Sequence, residues 1–141
     1  MAGEFAADGG DVALDAVTGR ATQTARTTYL ALLTATPTDA TTMATMTELT
    51  TPGTNGYARQ SVTWSVPADN AGVRKTDNIT TPITFGPFTA DLGNVTYCAL
   101  VSASTGTAGD FLAFWSLDTP RDPANGDSIE FAIGALVLNV D

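Results

Sequence analysis

Acidic side chains in one loop near the C-terminus are the residues best placed to bind a metal ion. Four oxygen ligands lie close together there: Asp118, Asp122, Asn125 and Asp127. Carboxylate and amide oxygens are the ligands that calcium prefers, although the spacing does not match an EF-hand loop. Two prolines and a glycine in the same stretch are typical of turns. The sequence therefore favours a turn, and we predict no metal ion and no cofactor.

The side chains most used in catalysis are scarce in this chain. It has no histidine and one cysteine, Cys98. Without imidazole there is no Ser-His or Cys-His pair, and nothing in the spacing of the acids singles out a glycosidase pair. Tyr97 and Leu100 place the thiol in an apolar strand, which favours a buried structural cysteine. We expect no catalytic residues and no enzymatic activity.

The charge balance restricts the partners. Fifteen acids against six bases give a net charge of −9. The bases are scattered, and only Arg74 and Lys75 are adjacent, so no basic stripe could neutralise the phosphates of a nucleic acid. No stretch has the length and hydropathy of a membrane span or a secretory signal. We expect a protein that is neither secreted through such a signal nor membrane-spanning, and that binds neither nucleic acid nor membrane.

The rest of the chain reads as short strands separated by Gly, Pro, Asn and Asp, at intervals of roughly ten to fifteen residues. The predicted strands are 28–35, 57–66, 79–85, 95–101, 111–117 and 128–140, with a hairpin loop over 67–77. In the last strand the apolar positions change from odd to even at Gly134, which predicts a bulge or tight bend there. About seven strands in this pattern predict an all-β fold, an antiparallel β-sandwich or barrel.

Two short helices are also predicted. Asp11 can cap the first, Val12 and Val17 lie on its apolar stripe, and Gly19 ends it. Asp39 can cap the second, which follows the first strand and runs to Leu49. The division predicted is an N-terminal helical arm over residues 1–27 and a β-sandwich domain over residues 28–141.

A two-turn helix is unstable alone in water, so its apolar stripe must dock on this domain or on another chain. The segment is either a frayed terminus or an arm that contacts a neighbouring chain, and the second interpretation is the prediction. The predicted interface residues are Phe5, Val12, Leu14, Val17 and Arg20.

Aromatic residues offer an alternative function. Tyr57, Trp64 and Trp115 could form a platform on which a glycan stacks, as in a sugar-binding β-sandwich. All three lie in strands with apolar neighbours, which favours the core. A core role is therefore the prediction, and glycan binding is retained as a second alternative.

Four stretches, taken in order, resemble a family of small virion proteins of tailed bacteriophages. They are Tyr29–Pro37, Gly56–Trp64, Thr84–Phe88 and Gly126–Leu136. Members of that family carry labels such as tail-fibre-like, minor capsid or decoration protein. The resemblance covers residues 28–141 and implies a structural component of the virion, made in the host bacterium, with no catalytic residues.

Between the roles in that family, the sequence favours a head decoration or minor capsid protein. An acidic surface suits the outside of a shell, and an N-terminal arm could join neighbouring capsid subunits by multivalent contact. The expected partners are the major capsid protein or another virion protein, together with further copies in a homo-oligomer. A tail or tail-fibre component is the first alternative, although the chain has no repeats or heptads that would give a fibre its length.

Overall fold

In the computed structural model, the described residues, 1–79 and 81–140, form ten strands and one helix. The strands are β1 (Ala2–Phe5), β2 (Thr28–Leu33), β3 (Gln60–Val62), β4 (Ala68–Asn70), β5 (Val73–Asp77), β6 (Ile83–Phe85), β7 (Val95–Val101), β8 (Phe111–Arg121), β9 (Ile129–Phe131) and β10 (Val137–Val140). The helix is α1 (Ala7–Thr18). The predicted strand 79–85 and the predicted domain end include residues 80 and 141, which lie outside the described residues.

Eight of the strands form one sheet in the order β3-β2-β7-β8-β1-β10-β5-β4, and β6 pairs with β9 in a second, two-stranded sheet. The large sheet curls into a half-barrel, so that β3 packs against β6. The pairing is antiparallel except between β1 and β10, which are parallel. The prediction of a mostly β fold of the sandwich or barrel type is confirmed in outline, while the count of about seven strands was too low.

The centre of the large sheet carries core on both faces. In β2, Leu30 and Leu32 point into one apolar cluster, whereas Ala31 and Leu33 point into another. All four are fully buried. Successive side chains of a strand point to opposite faces, so a run that is apolar throughout belongs between two layers. The predictions for β2 and β8 rest on this pattern, the prediction for β7 rests on apolar residues along one face, and the structure confirms all three strands.

Strand β1 lies inside the large sheet. It pairs with β8 through Glu4 and Phe114, and with β10 through Ala2 and Val137. The predicted division into an arm over residues 1–27 and a domain over residues 28–141 stays a prediction, since it depends on whether residues 28–141 fold without the arm. The position of β1 argues against it, because a strand of the predicted arm joins two strands of the predicted domain.

Helix α1 begins earlier than predicted. It starts at Ala7 and continues through both glycines that precede Asp11, so Asp11 is not its N-cap. The residue before the helix, Ala6, has no side-chain cap, and the Asp8 carboxylate instead accepts a hydrogen bond from the N–H of Phe111 at 3.0 Å. The predicted end is confirmed: Gly19 follows the helix with φ 68°, the left-handed conformation typical of a helix stop.

The second predicted helix, from Asp39 to Leu49, does not form, and turns occupy this segment. The Thr41 hydroxyl accepts a hydrogen bond from the N–H of Thr38 at 2.8 Å, and the next turn repeats this contact between Thr45 and Thr42 at 3.0 Å. Threonine hydroxyls that bond to nearby backbone compete with the helical ladder. The prediction of this helix was therefore wrong.

Three further segments differ in detail. The predicted strand 57–66 is reduced to β3, and the predicted hairpin loop 67–77 is a paired hairpin of β4 and β5. The predicted strand 128–140 divides into β9 and β10, which belong to different sheets. The tight bend predicted at Gly134 is confirmed, since this residue lies in the connecting turn with φ 75°.

Two adjacent glycines of α1 give a matched test of how the helix docks. A Cβ on Gly9 would lie 1.9 Å from the carbonyl oxygen of Leu112, whereas a Cβ on Gly10 would meet nothing within 4 Å. We expect Gly9→Ala to destabilise the fold by about 1–3 kcal/mol, because backbone must move. Gly10→Ala should be neutral or stabilise by up to about 1 kcal/mol, since alanine favours helix. Urea unfolding measures both, and equal effects would contradict this docking.

Candidate interaction surface

The five predicted interface residues lie on β1, on α1 and just beyond the helix end. Leu14 and Val17 are the most exposed apolar residues among them, at 63% and 85%. Phe5 is 37% exposed in β1, whereas Val12 packs against the main core. Arg20 is exposed and pairs with Asp15 through Nε and Oδ1 at 2.6 Å. Leu14 and Val17 thus form an outward apolar surface, and the interface stays a prediction.

Helix α1 is held to the sheet mainly through its first turn. Gly9 is buried against β8, and the N–H of Ala6 donates to the carbonyl of Leu112 at 3.0 Å. Beyond Val12 the helix is largely exposed. An exposed apolar surface beside charged residues is typical of a protein contact site.

A cleft of about 540 Å³ lies beside β1. We call it the acidic cleft, because Glu4, Asp39 and Asp118 line it. Strand β1 supplies Glu4, β8 supplies Asp118, and the loop after β2 supplies Asp39. Tyr97 and Ser116, which are opposite each other in β7 and β8, also line it.

The acidic cleft offers three carboxylates as hydrogen-bond acceptors, and Met1, which carries the N-terminal ammonium, also lines it. Among the described residues that line it there is no lysine or arginine. Carboxylates in such a cleft accept hydrogen bonds from hydroxyl or ammonium groups and raise the local concentration of cations. Over residues 1–79 and 81–140, no group of three His, Cys, Asp or Glu side chains is arranged to hold a metal ion.

Sequence reasoning missed the acidic cleft because its carboxylates come from three distant segments. Glu4 reaches the cleft when β1 enters the sheet, and Asp39 reaches it because the segment after β2 forms turns. Neither event was predicted. No local spacing of these acids could have shown that they converge.

A buried ion pair ties the loops at one end of the molecule together. Arg59 donates to Glu48 through Nε at 2.8 Å and through Nη2 at 2.7 Å. It also donates to the carbonyl oxygens of Ala103 and Gly106 at 2.9 and 3.0 Å. The Tyr57 hydroxyl donates to Glu48 Oε1 at 2.6 Å and accepts the N–H of Leu32 at 3.1 Å. We refer to Glu48, Tyr57 and Arg59 as the buried network.

Burial and charge shift the protonation of these groups. Burial raises the pKa of the Tyr57 hydroxyl above its ordinary value, and the charge of Glu48 raises it further. Burial alone would lower the pKa of Arg59, but the hydrogen bonds and charge of Glu48 outweigh it, and the pKa is raised. Burial also raises the pKa of the Cys98 thiol. The cysteine is fully buried and thus inert, as a structural thiol should be.

The aromatic residues considered as a glycan platform belong mainly to the core. Tyr57 and Trp115 are each 1% exposed, and the Trp115 indole donates to the carbonyl of Val137 at 2.9 Å. Trp64 is half-buried and stacks on Trp115, with ring centroids 6.0 Å apart. The prediction of a core role is confirmed for Tyr57 and Trp115.

The acidic loop near the C-terminus is organised as a turn. One carboxylate oxygen of Asp127 accepts the N–H of Ala124 at 3.0 Å, and the N–H of Asn125 donates to Asp91 at 2.9 Å. Of the four oxygen ligands considered for calcium, the Asp127 carboxylate thus supports the turn, while Asn125 contributes its backbone N–H. The prediction that no metal binds here stays a prediction.

Comparison with protein families supplies the assignment. Residues 11–139 match the family described as podophage GP4 fiber I protein gp80. The chain belongs to this family. No curated protein matches the chain. The resemblance to small virion proteins of tailed phages is thereby confirmed, because a phage fibre protein is a component of the virion.

Membership of the podophage fibre family corrects one expectation. The family description fits the tail-fibre alternative better than the preferred role in capsid decoration. The preference had rested on an acidic surface and an arm, and both features suit any exposed virion component. Within the described part of the chain, no helix is long and apolar enough to be a membrane span.

The buried network predicts how stability depends on pH. Tyr57 has a raised pKa in the folded state, so its contribution is complete below about pH 10 and is lost as pH rises above that value. A difference of one bound proton between the folded and unfolded states changes the slope of the unfolding free energy against pH by about 1.4 kcal/mol per pH unit. We expect Tyr57→Phe to unfold more easily at neutral pH but to lose less stability from about pH 9 to about pH 11.

Urea unfolding across that range measures the slope for Tyr57→Phe and the unsubstituted protein. Tyr97→Phe is the matched control, because Tyr97 lies outside the buried network, and it should keep the steeper slope. Parallel slopes for the protein and Tyr57→Phe would contradict the prediction.

The acidic loop predicts an absence of calcium dependence. Since the Asp127 carboxylate supports the turn, millimolar calcium or a chelator should leave the melting temperature unchanged. Differential scanning calorimetry measures this. A calcium-dependent increase that Asp122→Asn removes would show that the loop is a calcium site.

Proposed function

We propose that the protein is a structural subunit of a podophage tail fibre, and that it acts by contact with copies of itself and with another virion protein. The observation that supports this role is the family match over residues 11–139, which includes β2 to β9 and all but the last residue of β10. Made in the infected bacterium, the subunit then becomes part of the virion.

The chemistry of the chain supports adhesion and not catalysis. Cys98 is buried, the chain has no histidine, and the Glu48 carboxylate is engaged in the buried network. The outward residues of α1 offer an apolar contact surface, and a net charge of −9 disfavours binding to nucleic acid or anionic lipid. We propose that the protein is not an enzyme and works without a cofactor.

The subunit is a compact module of the fibre and not its shaft. A shaft needs repeats or heptads that extend along an axis, and this sequence has neither. The curled sheet and its two-stranded partner enclose a core that closes within one chain. A module of this kind serves as an attachment or junction piece.

Imaging of labelled virions tests the proposed role. An epitope inserted between Ala71 and Gly72 lies in the exposed turn of the β4–β5 hairpin, away from α1. Antibody–gold should decorate the fibres of purified particles and leave the capsid unlabelled. Particles without the epitope are the control. Label distributed over the capsid would support decoration and contradict the fibre role.

A further inference from the structure

The place of β1 in the sheet is a slot that another strand could fill. Strand β8 hydrogen-bonds to one side of β1 and β10 to the other, and these two strands do not pair with each other. The first half of β1, Ala2 and Gly3, pairs with β10, and the second half, Glu4 and Phe5, pairs with β8. Removing β1 would therefore leave a short row of unpaired backbone groups, two residue positions long, on each of them. Such a row is a template for any strand that fits.

Strand β1 fits this slot mainly through backbone hydrogen bonds and through the close approach of Gly3 to the Trp115 indole. Ala2 and Glu4 are exposed, and Phe5 is 37% exposed, so few side chains of β1 are anchored in the core. At Gly3 a Cβ would lie 2.4 Å from the indole of Trp115. Main-chain pairing with a small residue at the tight point is how an added strand binds a sheet.

The connection from this strand to the rest of the chain can act as a hinge. Only Ala6 separates β1 from α1, so the two move as one unit. Residues 19–27, which follow α1, are exposed and lack helix or strand. An ion pair between Arg26 and Asp110 fixes the far end of this segment. When extended, the segment spans up to about 30 Å, which is enough to reach an adjacent copy.

We propose that in the assembled fibre the β1–α1 unit of one copy fills the slot between β8 and β10 of the next copy. A single chain closes the slot with its own strand, as the structure shows, and exchange between chains begins as their concentration rises. Exchange replaces each contact by the same contact on a neighbour, so its cost is small. The hinge, residues 19–27, then runs from the C-terminal end of α1 to the chain's own β domain. The two neighbouring copies meet beside Leu14 and Val17, and this contact covers their apolar surface.

Disulfide trapping distinguishes exchange from closure within one chain. Phe5 and Ala113 are directly paired across β1 and β8, a separation that suits a disulfide. Phe5→Cys and Ala113→Cys are made in separate full-length chains, co-expressed and oxidised. Exchange yields disulfide-linked chains with doubled apparent mass on a non-reducing gel. The doubly substituted chain should then form linked multimers.

A second pair of cysteines serves as the control. Tyr29 and Ser61 pair within the β2–β3 ladder, outside the exchanged unit. Co-expressed Tyr29→Cys and Ser61→Cys chains should not link to each other, which excludes random collision. Native Cys98 stays buried in every variant.

The proposal is overturned if the co-expressed Phe5→Cys and Ala113→Cys chains stay unlinked, or if the unsubstituted protein is monomeric at every concentration in light scattering. The inference rests on the proposed assembly into a fibre. The link is read on purified protein, however, whereas the place in the virion is read by imaging. If the chains become linked but the gold label lies on the capsid, the proposal of strand exchange stands and the proposed fibre role is rejected.

Discussion

The structure depends on the pairing of β1 with two strands that do not pair with each other. Backbone N–H and C=O groups inside a sheet must find partners, and a gap between β8 and β10 would leave the positions that face β1 unpaired. By filling that gap, β1 joins the half of the sheet that contains β2 and β7 to the half that contains β5. The same strand brings Glu4 to the acidic cleft and positions α1 over β8.

The sequence predicted the elements whose own residues indicate their position, such as strands that are apolar throughout. Strands β2, β7 and β8 are apolar on both faces, and Gly19 and Gly134 mark a helix end and a bend through their positive φ angles. Strand β1 could not be recognised, since the segment Ala2–Phe5 has one glycine, one acid and no alternation. It becomes a strand because β8 and β10 offer it hydrogen bonds. The segment after β2 shows the opposite error, since a helix was predicted there and turns form. The prediction relied on the spacing of apolar residues and did not consider that the threonine hydroxyls between them bond to nearby backbone.

The candidate surface was only partly predictable for a similar reason. Exposure of Leu14 and Val17 follows from an apolar helix that docks by its first turn, although the sequence alone did not separate them from Val12, which faces the core. The buried network was not predicted, because arginine is seldom buried without a partner and the partner of Arg59 lies in a different loop. Patterns of residue type along the sequence do not show which distant segments meet in the folded protein.

The two outermost strands of the large sheet, β3 and β4, are each three residues long. A border so short offers few free amides and carbonyls to a passing chain, and natural proteins use short borders to prevent indiscriminate sheet growth. Two copies that meet at these edges can therefore form only a few backbone hydrogen bonds with each other, which disfavours open-ended lateral growth of the sheet.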